Sequence, residues 1–330
     1  MILGGDIGGT KTHLALFEIS DELRMLSDKK YISRDYKDLQ SVINDFLIAG
    51  KERVTAAAFA VPGPVEEEKC RTTNLPWVID SVEISKAIKI PKVFLLNDME
   101  ANAWGIRLLK PEEFCLLNPA GIPKKGNAAI IAAGTGLGEA GLYWDGHKHC
   151  PFPCEGGHVD FAPRDENEIG LWRFLQKNFG RVSYERLLSG PGLYNIYRFL
   201  VETGKEQENL KTHQELQKRD PPHVITEAAR KKQCKASVRT LNWFVSIYGA
   251  EAGNLALKFL STGGVYIGGG IAPKILPFLK TGAFLESFVA KGRFEPLLKT
   301  IPVQVILNEN TALLGAAYYV RVRYTQVNSK

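Results

Sequence analysis

Two glycine-rich turns, each set between apolar strand segments, constrain this chain of 330 residues more than any other feature. The first, Gly4-Gly5-Asp6-Ile7-Gly8-Gly9-Thr10-Lys11-Thr12, follows Ile2-Leu3 and precedes Leu14-Ala15-Leu16-Phe17. The second spans 128–144 and centres on Gly134-Thr135-Gly136-Leu137-Gly138. Glycines in a strand–turn–strand let backbone N–H groups approach an anionic phosphate that side chains would block. Asp6 beside the first turn can hold a Mg²⁺ ion, directly or through water. One such hairpin in each half points to a nucleotide held between two similar lobes.

Spacing excludes the two common phosphate motifs. A Walker loop needs G-x-x-x-x-G-K-[ST] between a strand and a helix. Counted from Gly4, Gly9 is followed by Thr10 where Lys is needed; counted from Gly5, Thr10 stands where Gly is needed. The run Gly136-Leu137-Gly138-Glu139-Ala140-Gly141 fits G-x-G-x-x-G. However, Leu142-Tyr143-Trp144-Asp145-Gly146 follows, a strand entering a turn rather than the helix a dinucleotide site requires.

With 45% hydrophobic residues the chain can bury a large core, more naturally as two domains than one. Its net charge of +6 is scattered. The short run Arg230-Lys231-Lys232 lies near the end of an expected helix, where cations suit the dipole, so no nucleic-acid partner is expected. No leader is expected before the first strand, and no apolar run approaches the ~20 residues of a membrane span. The best, 241–250, is stopped by Glu251. Five cysteines do not suggest a disulfide framework in a chain this long, which points to a reducing cytoplasm.

Along the chain, strands and helices alternate. Residues 39–47, 81–88 and 99–109 read as helices, and 55–61 and 92–96 as buried strands. The second half opens with the Gly134 hairpin and turns helical at 168–178, 184–188, 192–203, 224–232 and 236–260. Strands are expected at 264–267 and 303–307, a final helix at 311–321, and an exposed connection or surface helix at 204–220. This order favours an α/β fold with a mixed sheet in each lobe.

Asn97-Asp98 follows a buried strand, where open α/β sheets bind ligands. A carboxylate there can orient a hydroxyl and take its proton as a P–O bond forms, and Asn97 can fix a neighbouring hydroxyl. Both residues equally suit a helix cap. The cluster Pro153-Cys154-Glu155-Gly156-Gly157-His158-Val159-Asp160 sets acceptors and donors around two glycines, as a polyol needs. His147, His149, Cys150, Cys154 and His158 also raise zinc, but the C-x₂-C spacing of a structural site is missing, and no zinc is expected. Glu185 is a ligand group or a first-turn helix acid.

Taken in order, these blocks resemble bacterial-type glucokinases: 5–10, Asn97-Asp98, 134–138, 155–163, 185–192 and Gly268-Gly269-Gly270. The resemblance runs from residue 2 to about residue 317. The blocks 155–163 and 185–192 are highly specific, whereas the glycine hairpins are shared with the wider hexokinase, actin and chaperone ATPase superfamily. It implies an α/β two-domain actin-like ATPase (RNase H-like) fold, with a mixed sheet in each lobe and a cleft between. The small domain would hold 1–110 and 312–330, the large one 111–311. It also implies a cytoplasmic, usually dimeric kinase that takes ATP, Mg²⁺ and glucose into the first step of glycolysis. Asp98 would be the base for the 6-hydroxyl, and Asn74, Asn97, Glu155, His158 and Glu185 would bind the sugar. Trp77 also matches, with packing an equal explanation. Gly5, Asp6, Ile7, Gly8, Gly9 and Thr10, with Gly134, Thr135, Gly136 and Gly138, would embrace the phosphates. Asp6 would hold Mg²⁺ through water, and Gly268, Gly269 and Gly270 would lie beside the adenosine.

Some positions depart from the family pattern. Lys11 stands where many relatives have a small amide, and Val65-Glu66-Glu67-Glu68-Lys69 is unusually acidic. Cys154 replaces a common glycine, which leads us to expect sensitivity to thiol reagents. The repressor, open-reading-frame and kinase family is a cousin, but its zinc loop is not seen here; Asp160-Phe161-Ala162-Pro163-Arg164-Asp165 stands in that stretch. Sugar binding is expected to close the lobes about 109–112 and 308–311, excluding water. Two alternatives stay open. One is a kinase for mannose, glucosamine or an N-acetylated hexose. The other is a non-catalytic sugar sensor, against which stand Asp98 and a first strand beginning at residue 2, ahead of any helix-turn-helix.

Overall fold

The computed structural model describes residues 1–19, 22–48, 53–72, 75–119 and 124–328. The chain divides into two compact units, Met1–Pro111 with Asn308–Lys330, and Glu112–Leu307.

The first unit is built on strands β1 (Ile2–Ile7), β2 (Lys11–Ile19), β3 (Leu23–Ile32) and β4 (Ala56–Val61). A small ladder of β5 (Lys69–Arg71) and β6 (Val78–Asp80) precedes β7 (Val93–Asn97). The main sheet runs β3-β2-β1-β4-β7, antiparallel through β1, β2 and β3 and parallel through β1, β4 and β7. Every residue of β4 is buried, because helices cover both faces, and parallel strands in that setting read as unbroken apolar runs. Ala57, Phe59 and Val61 pack with Val42 and Ile43 of α1 (Leu39–Ile48) and Ile84 of α2 (Ser81–Ile88). On the other face Ala56, Ala58 and Ala60 meet α3 (Asp98–Gly105) and the C-terminal helix Thr311–Asn328. Small residues let those two helices come close. A Cβ on Gly315 would land on the Ala101 carbonyl, and one on Gly105 on the Thr311 carbonyl.

The second unit repeats this plan. Its strands are β8 (Phe114–Asn118), β9 (Ala128–Ala133), β10 (Leu137–Trp144), β11 (His149–Cys154), β12 (Gly264–Gly268) and β13 (Val303–Ile306). They run β11-β10-β9-β12-β13-β8, again an antiparallel meander joined to parallel neighbours, with β8 added antiparallel at the far edge. Helices α4 (Glu166–Phe179), α5 (Gly190–Glu202), α6 (Leu210–Leu216), α7 (Pro221–Arg230) and α8 (Lys235–Phe259) follow β11. Leu241, Phe244, Val245 and Tyr248 of α8 are buried in the core, each such side chain worth about 1.5–3 kcal/mol of burial. No described helix is long and apolar enough to cross a membrane.

Strands β3, β5, β6, β8 and β11 and the short helices Leu276–Leu279, Ala283–Val289 and Glu295–Lys299 lie where no element was expected, and one expected helix is not formed. The helix expected at 184–188 is a single 3-10 turn, Tyr184–Arg186, because its carbonyls and side chains are used for contacts described below. The polar 204–220 stretch carries a surface helix, one of its two expected forms: α6 is started by Asn209, whose side chain accepts from the Lys211 and Thr212 amides. Replacing Gly315 with Ala should cost about 1–3 kcal/mol by overpacking the α3 crossing. A lowered midpoint in urea unfolding would register it, and an unchanged midpoint would show the crossing to be loose.

Candidate active site

In the first unit, the parallel strands β1, β4 and β7 end side by side. Asp6, Ala60 and Leu96 share one register row, so Asp6 and Asp98 sit two strand spacings apart, about 10 Å laterally. Asn97 is the N-cap of α3. Its Oδ1 accepts from the Met99 amide at 2.9 Å and the Glu100 amide at 3.3 Å, and its Nδ2 donates to the Gly63 carbonyl at 3.2 Å. This buried amide therefore fixes where α3 begins, and with it the placement of Asp98. The partly exposed Asp98 accepts from the Met99 amide at 2.8 Å. Burial, reinforced by the Asp98 charge, pushes the Cys70 thiol up to about 11.

Asp6 is half-buried, and burial holds its carboxyl above the usual carboxylate range while His13 and Lys30 pull the other way. A carboxyl so placed gains from a nearby cation. Among the described residues no three His, Cys, Asp or Glu gather around a metal position. A lone carboxylate suits Mg²⁺, which keeps its waters and binds through one carboxylate plus phosphate oxygens.

The first glycine turn is shaped from beneath by Ser33, a residue the sequence reading passed over. The Gly8 amide donates to the Lys11 carbonyl at 2.9 Å, and the Ser33 amide to the Thr10 carbonyl at 3.0 Å. Ser33 Oγ donates to the Gly8 carbonyl at 2.8 Å and lies 3.0 Å from Thr12 Oγ1, both hydroxyls being fully buried. With the carbonyls tied down, the Gly9 and Thr10 N–H groups have no protein acceptor among the described residues. Such a nest of amides suits phosphate oxygens. Lys11 is exposed at the head of β2.

In the second unit, the 185–192 block clamps the other glycine turn. The Gly134 amide donates to the Gly136 carbonyl at 2.8 Å, and the Gly190 amide to the Gly134 carbonyl at 2.9 Å. Glu185 Oε2 accepts from the Leu137 amide at 3.0 Å. A Cβ on Gly136 would strike that carboxylate. Ser189 caps α5, accepting from the Gly192 amide at 3.0 Å and donating to the Glu185 carbonyl at 2.7 Å. The positive dipole end of α5 thus abuts the Gly134 turn. After β12, Gly269 takes φ +82°, where a Cβ would meet the Ala133 carbonyl that accepts from the Ile271 amide at 3.2 Å. Gly134, Thr135 and Gly270 line a cavity of about 1250 Å³ with Pro191, His223 and Ile271.

Beside this clamp stand three polar side chains, two from the loop that ends β11 and one from the Tyr184–Arg186 turn. His158 Nε2 lies 4.0 Å from Glu155 Oε2, and its Nδ1 lies 4.0 Å from Glu185 Oε1. Gly157 is buried against the Leu137 carbonyl, where a Cβ would clash. Arg181 fixes the far end of the loop, its Nε donating to Asp160 Oδ1 at 2.7 Å and its Nη2 to the His158 carbonyl. Burial raises the Cys154 thiol; the Gly156 amide opposes this and the Glu139 and Glu155 carboxylates add to it. Because the thiolate is the reactive form, this environment works against the expected sensitivity to thiol reagents.

The structure therefore gathers Asp6, the Gly8–Thr10 turn and Asp98 along one sheet edge of the first unit. It gathers Glu155, His158 and Glu185 with the Gly134 turn in the second. Asn74 lies outside the described residues. Trp77 is 3% exposed within the core of the first unit, which favours the packing explanation. Of the residues that raised zinc, His149 Nε2 bonds to the Gly126 carbonyl at 2.9 Å and its ring packs edge-on against Trp144. Cys150 Sγ lies 3.5 Å from Asp145 Oδ2.

A family model described as Glucokinase matches residues 3–323. The glucokinase of Nostoc punctiforme is 41% identical over 333 residues, covering 96% of this chain and 98% of that protein. Among solved structures, a glucokinase from an Antarctic psychrotroph superimposes with a TM-score of 0.83 at 28% identity, covering 97% of this chain and 98% of the other. A Balamuthia mandrillaris glucokinase in complex with glucose gives a TM-score of 0.84 at 22% identity, over 97% and 93% of the two chains, which speaks to fold alone.

Replacing Ser33 with Ala removes two hydrogen bonds, those to the Gly8 carbonyl and to the Thr12 hydroxyl, a loss of about 1–3 kcal/mol for each group left unpaired, focused on the turn. Titration with MgATP should show affinity lowered about tenfold or more; unaltered affinity would show that the turn holds its shape without the hydroxyl.

Proposed function

This chain belongs to the glucokinase family, and from that premise we propose that it transfers the γ-phosphate of ATP to the 6-hydroxyl of glucose. The observation that carries the reading is the cluster of Glu155, His158 and Glu185, the last of which also holds the backbone of the second glycine turn through the Leu137 amide. Two carboxylates and an imidazole offer acceptors and a donor to sugar hydroxyls, a few angstroms from amides suited to phosphate.

In the proposed reaction, Asp98 accepts a hydrogen bond from the O6 hydroxyl. As O6 attacks the γ-phosphorus, its proton passes to the Asp98 carboxylate, and the bond to the β,γ-bridging oxygen breaks, releasing ADP. The Asn97 cap keeps the base from drifting, which matters because misplacement by about 1 Å can cost about a hundredfold. The Gly9 and Thr10 amides and the Gly134 turn receive the phosphates. Mg²⁺, when bound, offsets phosphate charge, and Asp6 is the residue we propose to hold it through water. The adenosine is proposed to occupy the cavity between Gly134 and Ile271 in the second unit. Asn97 and Asn74 are proposed as further sugar contacts, and a homodimer on family resemblance. A cytoplasmic setting is proposed because the five cysteines are free.

Asp98→Asn should lower kcat by about 10²–10⁴-fold while glucose binding, read by calorimetry, is kept. Turnover near normal in that variant would remove the base assignment. Glu185→Gln keeps an acceptor for the Leu137 amide but loses the charge, so the KM for glucose should rise about tenfold as a hydrogen bond to a charged group is weakened. A coupled ADP-release assay run on a panel of hexoses reads both variants, and turnover confined to a hexose other than glucose would reassign the substrate.

A further inference from the structure

Of the buried acids that the mechanism above leaves unused, Glu139 alone has both carboxyl oxygens unpartnered among the described residues. It lies on β10 and is 1% exposed. Such a group is costly unless it does something, because burying an unpaired carboxylate costs several kcal/mol. Its position is specific. In the ladder Glu139 faces Cys154, the residue before Glu155, and its Oε2 fills the space that a side chain on Gly156 would need. The carboxyl therefore lies directly under the loop that carries Glu155 and His158.

We propose that Glu139 is a positioning residue of the sugar site, its carboxyl bracing the Glu155–His158 loop from beneath Gly156. The proposal rests on the reading of Glu155 and His158 as sugar ligands. Bracing depends on the neutral acid. Burial and the Glu251 carboxylate push the Glu139 carboxyl up to about 8, with Lys258 opposing. Lys258 cannot neutralise it fully, since its Nζ is engaged by Glu251 Oε1 at 3.1 Å, and Asn254 Nδ2 takes Glu251 Oε2 at 2.8 Å. The remaining titratable neighbours are Tyr248 on α8, which is held to the Ile131 carbonyl, and Cys154 with Glu155 on the facing strand and loop.

The sign follows directly. Below about pH 8 the acid holds its proton and sits uncharged against the Gly156 backbone. Above it, a new buried anion faces Glu251 and underlies Glu155, and must draw in water or a cation, displacing the loop. Loss of one proton then opposes sugar binding by up to about tenfold per pH unit.

The test is the KM for glucose and for ATP between pH 6.5 and 9.5 in four proteins: wild type, Glu139→Gln, Cys154→Ser and Glu155→Gln. Wild type should show a KM for glucose rising about tenfold per unit above about pH 8, with the KM for ATP level. Glu139→Gln, neutral at every pH and of the same shape, should keep the low value at pH 7 and abolish the rise. Cys154→Ser should retain it. A flat wild-type profile, a rise that persists in Glu139→Gln, its disappearance in Cys154→Ser, or a parallel rise for ATP would each overturn the proposal. Glu155→Gln separates the two levels of inference. If it raises the KM for glucose at pH 7 while Glu139→Gln keeps the rise, only the bracing role falls. If it leaves that KM unchanged, the sugar-ligand reading falls with it.

Discussion

The backbone of a single residue, Leu137, ties together the chemistry of the second unit. Its N–H is held by the Glu185 carboxylate at 3.0 Å, and its carbonyl is covered by Gly157. Leu137 is also the residue at which the Gly134–Gly136 turn becomes strand β10. One carboxylate oxygen of Glu185 thus fixes a turn suited to phosphate, while the other faces His158 and the region we assign to sugar. A charge-assisted bond of this kind is among the stronger hydrogen bonds available, and it cannot be lengthened without disturbing both neighbours. Ser189 and Gly190 reinforce it, the first by holding the Glu185 carbonyl and the second by holding that of Gly134.

The glycines follow from the same closeness. At Gly136, Gly156 and Gly157 an added Cβ would meet the Glu185 carboxylate, the Glu139 carboxylate and the Leu137 carbonyl respectively. Two of these mark a backbone brought against a carboxyl group and the third a backbone brought against backbone, which together make a dense polar site. The first unit reaches a comparable result differently. There the buried Ser33, its hydroxyl paired with that of Thr12, ties down the Gly8 and Thr10 carbonyls and leaves the amides of the turn for a ligand. Both turns join antiparallel strands at the same place in two sheets of matching order, so one architectural plan supports both of the turns we propose for phosphate.

Much of the site was legible because glycine runs, capping residues and acidic residues after buried strands each have few physical uses. The turns at Gly8 and Gly134, the strand ending at Asn97 and the cluster from Glu155 to Glu185 all belong to that class. Local pattern was least informative where pairing decides. Strand β3 is mostly exposed and charged, and becomes a strand because β2 offers it a ladder rather than through apolar alternation. Ser33 carried no signal, since a serine followed by charged residues is indistinguishable from a surface residue until its burial is known. Glu139 was hidden inside an apparent G-x-G-x-x-G, where an acid next to glycines looks solvated.

By itself, the sequence determined the kind of fold, through periodicity and the two glycine hairpins, and the chemical types able to serve phosphate and hydroxyl groups. Those follow from local stereochemistry, which each short segment carries within it. Tertiary structure alone decided that Asn97 spends its amide on capping α3, that Glu185 reaches back across 48 residues to the Leu137 amide, and that Glu139 is buried without a partner. The physical reason is that hydrogen bonding and desolvation depend on what lies within about 3 Å of an atom, and only the folded chain sets that distance.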